Sequence, residues 1–216
     1  MIGSPDTPSF NDRQLDAIRE AGNIGTGNAA TALSGLLSRR INMDVPKTEL
    51  VSIYELAEHY GDPLQTVGAV FVRSTGGFQC SLIFIQPEQD AQLMVQLLLQ
   101  NQFGGSAIPA GEIPQEIYDS ALGEVGNIVL SSFLNAINLL LGTQHQISVP
   151  GTAHDMLASI LDVVASIYGQ LGETALLVNT ELSAEGLEDG RRISGHIIMI
   201  PDPESLSLLL RKLKVI

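Results

Sequence analysis

From Leu15 onward the apolar positions recur at helical spacing. At 100° per residue, Leu15, Ile18, Gly22, Gly25, Ala29, Leu33 and Leu36 fall in one narrow stripe, which predicts a long helix with that seam on the core. Leu122, Gly126, Val129, Phe133, Ile137 and Leu140 predict a second long helix in the same way. After each helix the pattern changes to short apolar runs. Residues 66–72 and 173–180 read as strands, and turns rich in glycine follow at 74–77 and 185–190. Residues 78–85 and 193–200 then return, making two hairpins. Pro87 and Pro201 open terminal helices over 88–99 and 204–213. Each half therefore reads as long helix, short strand, helical connection, hairpin, helix. Helices set apart from hairpin-linked strands make the class α+β, with one sheet shared by both halves.

The two halves also match residue by residue. Asp16-Ala-Ile-Arg-Glu20-Ala-Gly-Asn23-Ile24 corresponds to Ser120-Ala-Leu-Gly-Glu124-Val-Gly-Asn127-Ile128 at a constant offset of 104 residues. Further on, Ala32 meets Ala136, Leu36-Leu37 meet Leu140-Leu141, and Val45-Pro46 meet Val149-Pro150; 10 of the 31 positions from Asp16 to Pro46 are identical. A solenoid needs more and shorter units. The expectation is a single domain over residues 11–216, a duplicated half with pseudo-two-fold symmetry. Repeat one spans 11–103 and repeat two 115–216, behind a flexible tail at 1–10.

Composition narrows the function. The chain has 216 residues, 44% of them hydrophobic, with a mean hydropathy of +0.21. Charged residues are only 16%, against about 25% in an ordinary domain, so long disorder is not expected. Acidic residues outnumber basic ones 24 to 11, a net charge of −13. No basic cluster exceeds the pairs Arg39-Arg40 and Arg191-Arg192, which argues against nucleic acid as a partner. The first eleven residues are polar and turn-rich, without the pattern of a secretory signal. The longest apolar stretch, 128–141, is broken by Ser131, Ser132, Asn135 and Asn138, so no membrane span is expected and the chain reads as cytoplasmic. Cys80 stands alone in an apolar run, the setting of a buried structural thiol. His59, His145, His154 and His196 lack metal-ligand spacing, so no metal site is expected.

The polar residues of the repeated helix carry the candidate chemistry. Asp16, Glu20 and Asn23 are spaced i, i+4, i+7 and stack along one exposed edge away from the seam. Gly27 and Ala30 continue that edge with little bulk. In the second helix Ser120, Glu124 and Asn127 take the same places, followed by the bulkier Ser131 and Leu134. Asparagine is a mediocre helix former. Its return at the same surface position, where most solvent-facing residues have diverged, points to a task. Gly25-Thr-Gly27-Asn-Ala-Ala30 also fits the dinucleotide fingerprint, with Asp44 downstream. That motif needs a strand turning into a helix at the glycines, whereas residues 15–21 are already helical in period. Gly22 and Gly25 read instead as close-approach points for a core element, and Gly27 for something outside.

The doubled pattern of Asp or Ser, three residues, Glu, two residues, Asn, twenty-two residues, Pro is met by Asp16, Glu20, Asn23, Pro46 and by Ser120, Glu124, Asn127, Pro150. It resembles the CheC/CheX/FliY family of phosphatases that act on the phosphorylated chemotaxis response regulator CheY. Two complete motifs resemble CheC more than CheX, and with the sequence ending at Ile216 the further C-terminal domain of FliY-type proteins is not expected. The resemblance implies hydrolysis of an aspartyl phosphate on the partner, with Mg²⁺ in the partner's own pocket and no cofactor here. Asn23 and Asn127 are then expected to orient the attacking water. Glu20 and Glu124 are expected to pair with a lysine beside the phosphorylated aspartate. Asp16, Ser120 and Gly27 are expected to contact the partner, while Pro46 and Pro150 are structural. A second implied partner is the deamidase CheD, bound at the helical connection 154–167, with Asp155 as a contact. The rival class is an adaptor that docks on phosphorylated regulator or CheD and hydrolyses little.

Overall fold

The computed structural model describes residues 12–60, 62–102, 113–169, 174–187 and 191–212; the tail at 1–10 lies outside them. Two long helices dominate, α1 (Asp12–Leu37) and α3 (Gln115–Leu141). The shorter helices are α2 (Glu88–Gln102), α4 (Leu157–Tyr168) and α5 (Pro203–Lys212), and a 3₁₀ segment covers Ile53–His59. The strands are β1 (Ile41–Ser52), β2 (Thr66–Gly76), β3 (Cys80–Pro87), β4 (His145–Ile147), β5 (Gly151–Met156), β6 (Thr174–Ala184) and β7 (Ile193–Pro201).

These strands form one antiparallel seven-stranded sheet in the order β1-β6-β7-β3-β2-β4, with β5 also pairing with β2. β2–β3 and β6–β7 are the two expected hairpins. Exchanging the halves of the chain reverses this order onto itself, β1 trading places with the β4/β5 pair. The sheet is mixed with helices in the expected α+β manner.

Both faces of the sheet are covered, which explains why its central strands read as continuous apolar runs. Val70, Val72, Leu82, Phe84, Val178 and Ile197 face a core built with α1, α2, α3 and α5. Their neighbours Val67, Ala69, Ile83, Ile85, Leu177 and Ile198 face a second core under α4 and the 3₁₀ segment. α3 is long and apolar enough by composition to cross a membrane, yet it packs as the central helix of the first core, with Val125, Leu130, Phe133 and Ile137 fully buried.

Two sequence expectations change. The strand after α1 is not short: β1 has twelve residues, because its pairing with β6 continues past Pro46 by a register shift between Asp44 and Lys47. Proline has no N–H to give, so an edge strand with a bulge is where it can stand. The matching Val149-Pro150 falls at the break between β4 and β5, where Val149 is exposed while Val45 is buried. The second change is at residues 154–156, expected in the helical connection. They belong to β5, where Asp155 pairs with Val67, because the open edge of β2 satisfies their backbone groups; α4 begins only at Leu157.

α1 and α3 run antiparallel. Gly25 lies against Phe133 and Ala136, whereas Leu36, eleven residues on, shares a groove with Ile117 and Ala121. A Cβ on Gly25 would stand 2.7 Å from the Phe133 Cα, a backbone atom that cannot move aside. Gly25→Ala is therefore expected to destabilise the protein by about 1–3 kcal/mol in chemical denaturation. Gly35→Ala, with nothing within 4 Å of its Cβ position, should stabilise it by up to about 1 kcal/mol.

His196 on β7 sits beside the Asn179 Oδ1 at 2.9 Å and edge-on to Tyr60 at 4.6 Å. Burial pushes its pKa down to about 4, so the folded protein holds it neutral where the unfolded chain would protonate it. Its contribution is present above the unfolded value of 6.5 and is lost as pH falls toward 4, amounting to about 3 kcal/mol at most. Denaturation midpoints followed from pH 7 to pH 4 should fall in the native protein and flatten in His196→Phe.

Candidate functional site

The helical seam is as the periodicity predicts: Ile18, Gly22, Gly25, Ala29 and Leu33 are buried, with Leu15 and Leu36 half-buried. In α3, Leu122, Gly126, Val129, Phe133 and Ile137 are buried, while Leu140 is exposed near the helix end. With the seam fixed, Asp16, Glu20, Asn23 and Gly27 emerge together on the opposite side of α1, all exposed. Ala30 does not continue that edge; it is 8% exposed, because its angle lies closer to the seam than that of Gly27. Glu20 and Asn23 stand one turn apart, which places their Cβ atoms about 5–6 Å from each other. Among the described residues neither side chain has a hydrogen bond or ion pair. Asp16 is held by Arg19, its carboxylate accepting from the guanidinium at 2.8 Å. A Cβ at Gly27 would meet nothing within 4 Å beyond its own stretch of helix, so a partner could reach the helix backbone there.

Thr26 accounts for the local shape. It is buried, and its Oγ1 donates to the Gly22 carbonyl at 3.0 Å and approaches that of Asn23 at 3.2 Å. α1 nevertheless runs unbroken from Asp12 to Leu37, straight through Gly25 and Gly27. The strand-to-helix turn that a dinucleotide fingerprint requires is absent.

α3 repeats the arrangement with differences. Ser120 and Glu124 are exposed and Glu124 is unbonded among the described residues, but Asn127 is half-buried. Its Oδ1 is buried with no hydrogen-bond partner. Ser131 occupies the place of Gly27 and donates to the Asn127 carbonyl at 2.5 Å. Ser120 and Glu124 also wall an open groove floored by Leu36, Leu98 and Leu99. The N-terminal halves of the antiparallel helices carry the two edges, so these lie toward opposite ends of the pair.

Ile24, beside Asn23, was not singled out by its chemistry, yet it is 46% exposed. The signal was present, since Ile128 repeats it at the same offset. Asp155 is exposed on β5, two residues before α4, its carboxylate accepting from the Met156 N–H. Met156 and, further on in α4, Val163 and Ile167 are also exposed, while Leu157, Ile160, Leu161 and Val164 of α4 pack inward.

Cys80 is buried, and burial pushes its thiol up to about 12, the state of an inert structural cysteine. Among the described residues no group of three or more His, Cys, Asp or Glu could hold a metal ion.

The chain is 33% identical to the CheY-P phosphatase CheC of Bacillus subtilis over 198 residues, 92% of each protein. It belongs to the CheC-like family. The family model matches residues 14–50 and 117–162, the two long helices, the strands that follow them and the first half of α4. The flagellar motor switch phosphatase FliY of Bacillus subtilis is 27% identical over 146 residues, 68% of this chain and 37% of that protein. In structure, Thermotoga maritima FliY shares the fold at a TM-score of 0.74 and 22% identity, over 96% of this chain and 98% of the other.

Both CheC-like helix edges hold side chains that the fold does not use. Glu20→Ala, Asn23→Ala and Glu124→Ala should each leave the unfolding free energy within about 0.5 kcal/mol of native in chemical denaturation.

Proposed function

We propose that this chain is a phosphatase that hydrolyses the aspartyl phosphate of a CheY-type response regulator. The observation that carries this reading is the Glu20/Asn23 pair, exposed, unbonded and one turn apart on a helix whose other face is locked in the core. The relative named CheY-P phosphatase, matched over 92% of the chain, supports it.

The chemistry rests on what the side chains can do. Hydrolysis of an aspartyl phosphate proceeds by in-line attack of water on phosphorus, where catalysis is mostly positioning and charge stabilisation. A carboxamide has both a donor and an acceptor. Asn23 can therefore accept from the water while its NH₂ faces the phosphoryl oxygens, and Asn127 is the corresponding amide on α3. Glu20 and Glu124 supply carboxylates one turn away, placed to pair with a lysine near the regulator's phosphorylated aspartate and so fix the amide in register. Mg²⁺ belongs to the regulator's pocket. The open backbone at Gly27 admits a close partner, Ile24 offers an apolar contact, and Asp16 and Ser120 extend the docking edge. The leaving group is a carboxylate, so no general acid is required of this chain. In a loose transition state the water gives up its proton late, to the phosphate that forms, so no general base is required either.

A second partner of the CheD type belongs on the α4 face, where Asp155, Met156, Val163 and Ile167 are exposed. The protein acts as a cytoplasmic component of a chemotaxis signalling system.

Decay of phosphoryl label on CheY-type regulators, with this protein substoichiometric, tests the reading. The Asn23→Ala/Asn127→Ala variant should lose on the order of 10²-fold in rate while still binding the phosphorylated regulator. No acceleration by the native protein on any regulator would favour an adaptor instead.

A further inference from the structure

The two helices carry the same motif at the same offset, yet they do not present it equally. On α1, Asn23 is exposed and nothing occupies the edge beyond it at Gly27. On α3, Asn127 is half-buried and its Oδ1 is sealed without a partner. Ser131 lies over the Asn127 backbone, bonded to its carbonyl at 2.5 Å, on the edge along which a partner would approach. One turn before Asn127, Thr152 and Pro150 come within 3.4 and 4.0 Å of the Cβ position of Gly123. The corresponding residue on α1 is Arg19, whose side chain is turned to Asp16.

An amide that orients water while facing a phosphoryl group must have both ends free. With Oδ1 sealed, Asn127 offers only its NH₂. Turning the amide over buries the NH₂ instead and frees only the oxygen. Either way one end is out of reach, whereas Asn23 keeps both.

The geometry points to an unequal pair, resting on the phosphatase reading above: the Glu20/Asn23 edge carries most of the turnover, and the Glu124/Asn127 edge is restrained, with Ser131 contributing to the restraint. Asn127 holds a buried amide oxygen that the fold leaves unpaired, a state that costs stability and is relieved by truncation.

Single variants assayed by phosphoryl-label decay separate the edges. Asn23→Ala should lose about tenfold or more in kcat, and Asn127→Ala less than about twofold. Asn127→Ala should also raise Tm by more than Asn23→Ala does, since only the former removes a sealed polar atom. In the Asn23→Ala background, Ser131→Gly should raise the residual rate severalfold; Ser131→Ala, which keeps helix propensity, should raise it in the same direction. Equal losses from the two asparagine variants, or a larger loss from Asn127→Ala, would overturn the asymmetry. No gain from either Ser131 variant would overturn the part assigned to that residue. Full activity in the double asparagine variant would contradict the role given to both amides, whereas no acceleration by the native protein would contradict the phosphatase reading itself, a distinct outcome.

Discussion

The contact between α1 and α3 at Gly25 governs the rest of the molecule. Only a residue without a Cβ lets the α1 backbone come this close to the backbone of Phe133. The contact also sets how α1 is turned about its own axis. With 100° between successive residues, a shift of one position would swing Glu20 and Asn23 off the exposed edge and bring apolar residues out. One steric requirement in the core thus decides which residues the protein shows to a partner. Packing fixes the rotation, and rotation fixes the chemistry on offer.

The sheet makes that contact possible. Its central strands β3 and β7 are buried on both faces, so helices must cover each side. The face under α1 and α3 holds the candidate edges, and the opposite face holds α4 with its exposed Val163 and Ile167. Two kinds of surface therefore lie on opposite sides of one sheet. One offers carboxylates and amides on helix edges; the other offers apolar side chains. The palindromic strand order places each motif helix ahead of an edge strand interrupted at a Val-Pro, in each half of the chain.

Much of this was legible in the residues. The seam of α1 could be read because its period is regular and its glycines fall on it, and the exposure of Glu20 and Asn23 follows from that seam. The hairpins were legible from glycine-rich turns between apolar runs. Ala30 was misplaced because its smallness was read as continuing the edge, although its helical angle already lies nearer the seam than that of Gly27. The strand at 154–156 was hidden because His154, Asp155 and Met156 are not strand formers; the open edge of β2 recruits them through the backbone, and no local pattern records that. The half-burial of Asn127 was equally invisible. It depends on the residues gathered around the helix in space, of which only Ser131 stood out in the sequence as bulkier than its counterpart Gly27.

The central claim is that the helix edges, and not the α4 face, receive the regulator. Hydrogen–deuterium exchange on this chain, with and without a CheY-type regulator loaded with a phosphoryl mimic, tests it most directly. The account predicts added protection on α1 from Glu20 to Gly27, with α4 unchanged. Protection confined to α4, with α1 and α3 exchanging as in the free protein, would contradict it.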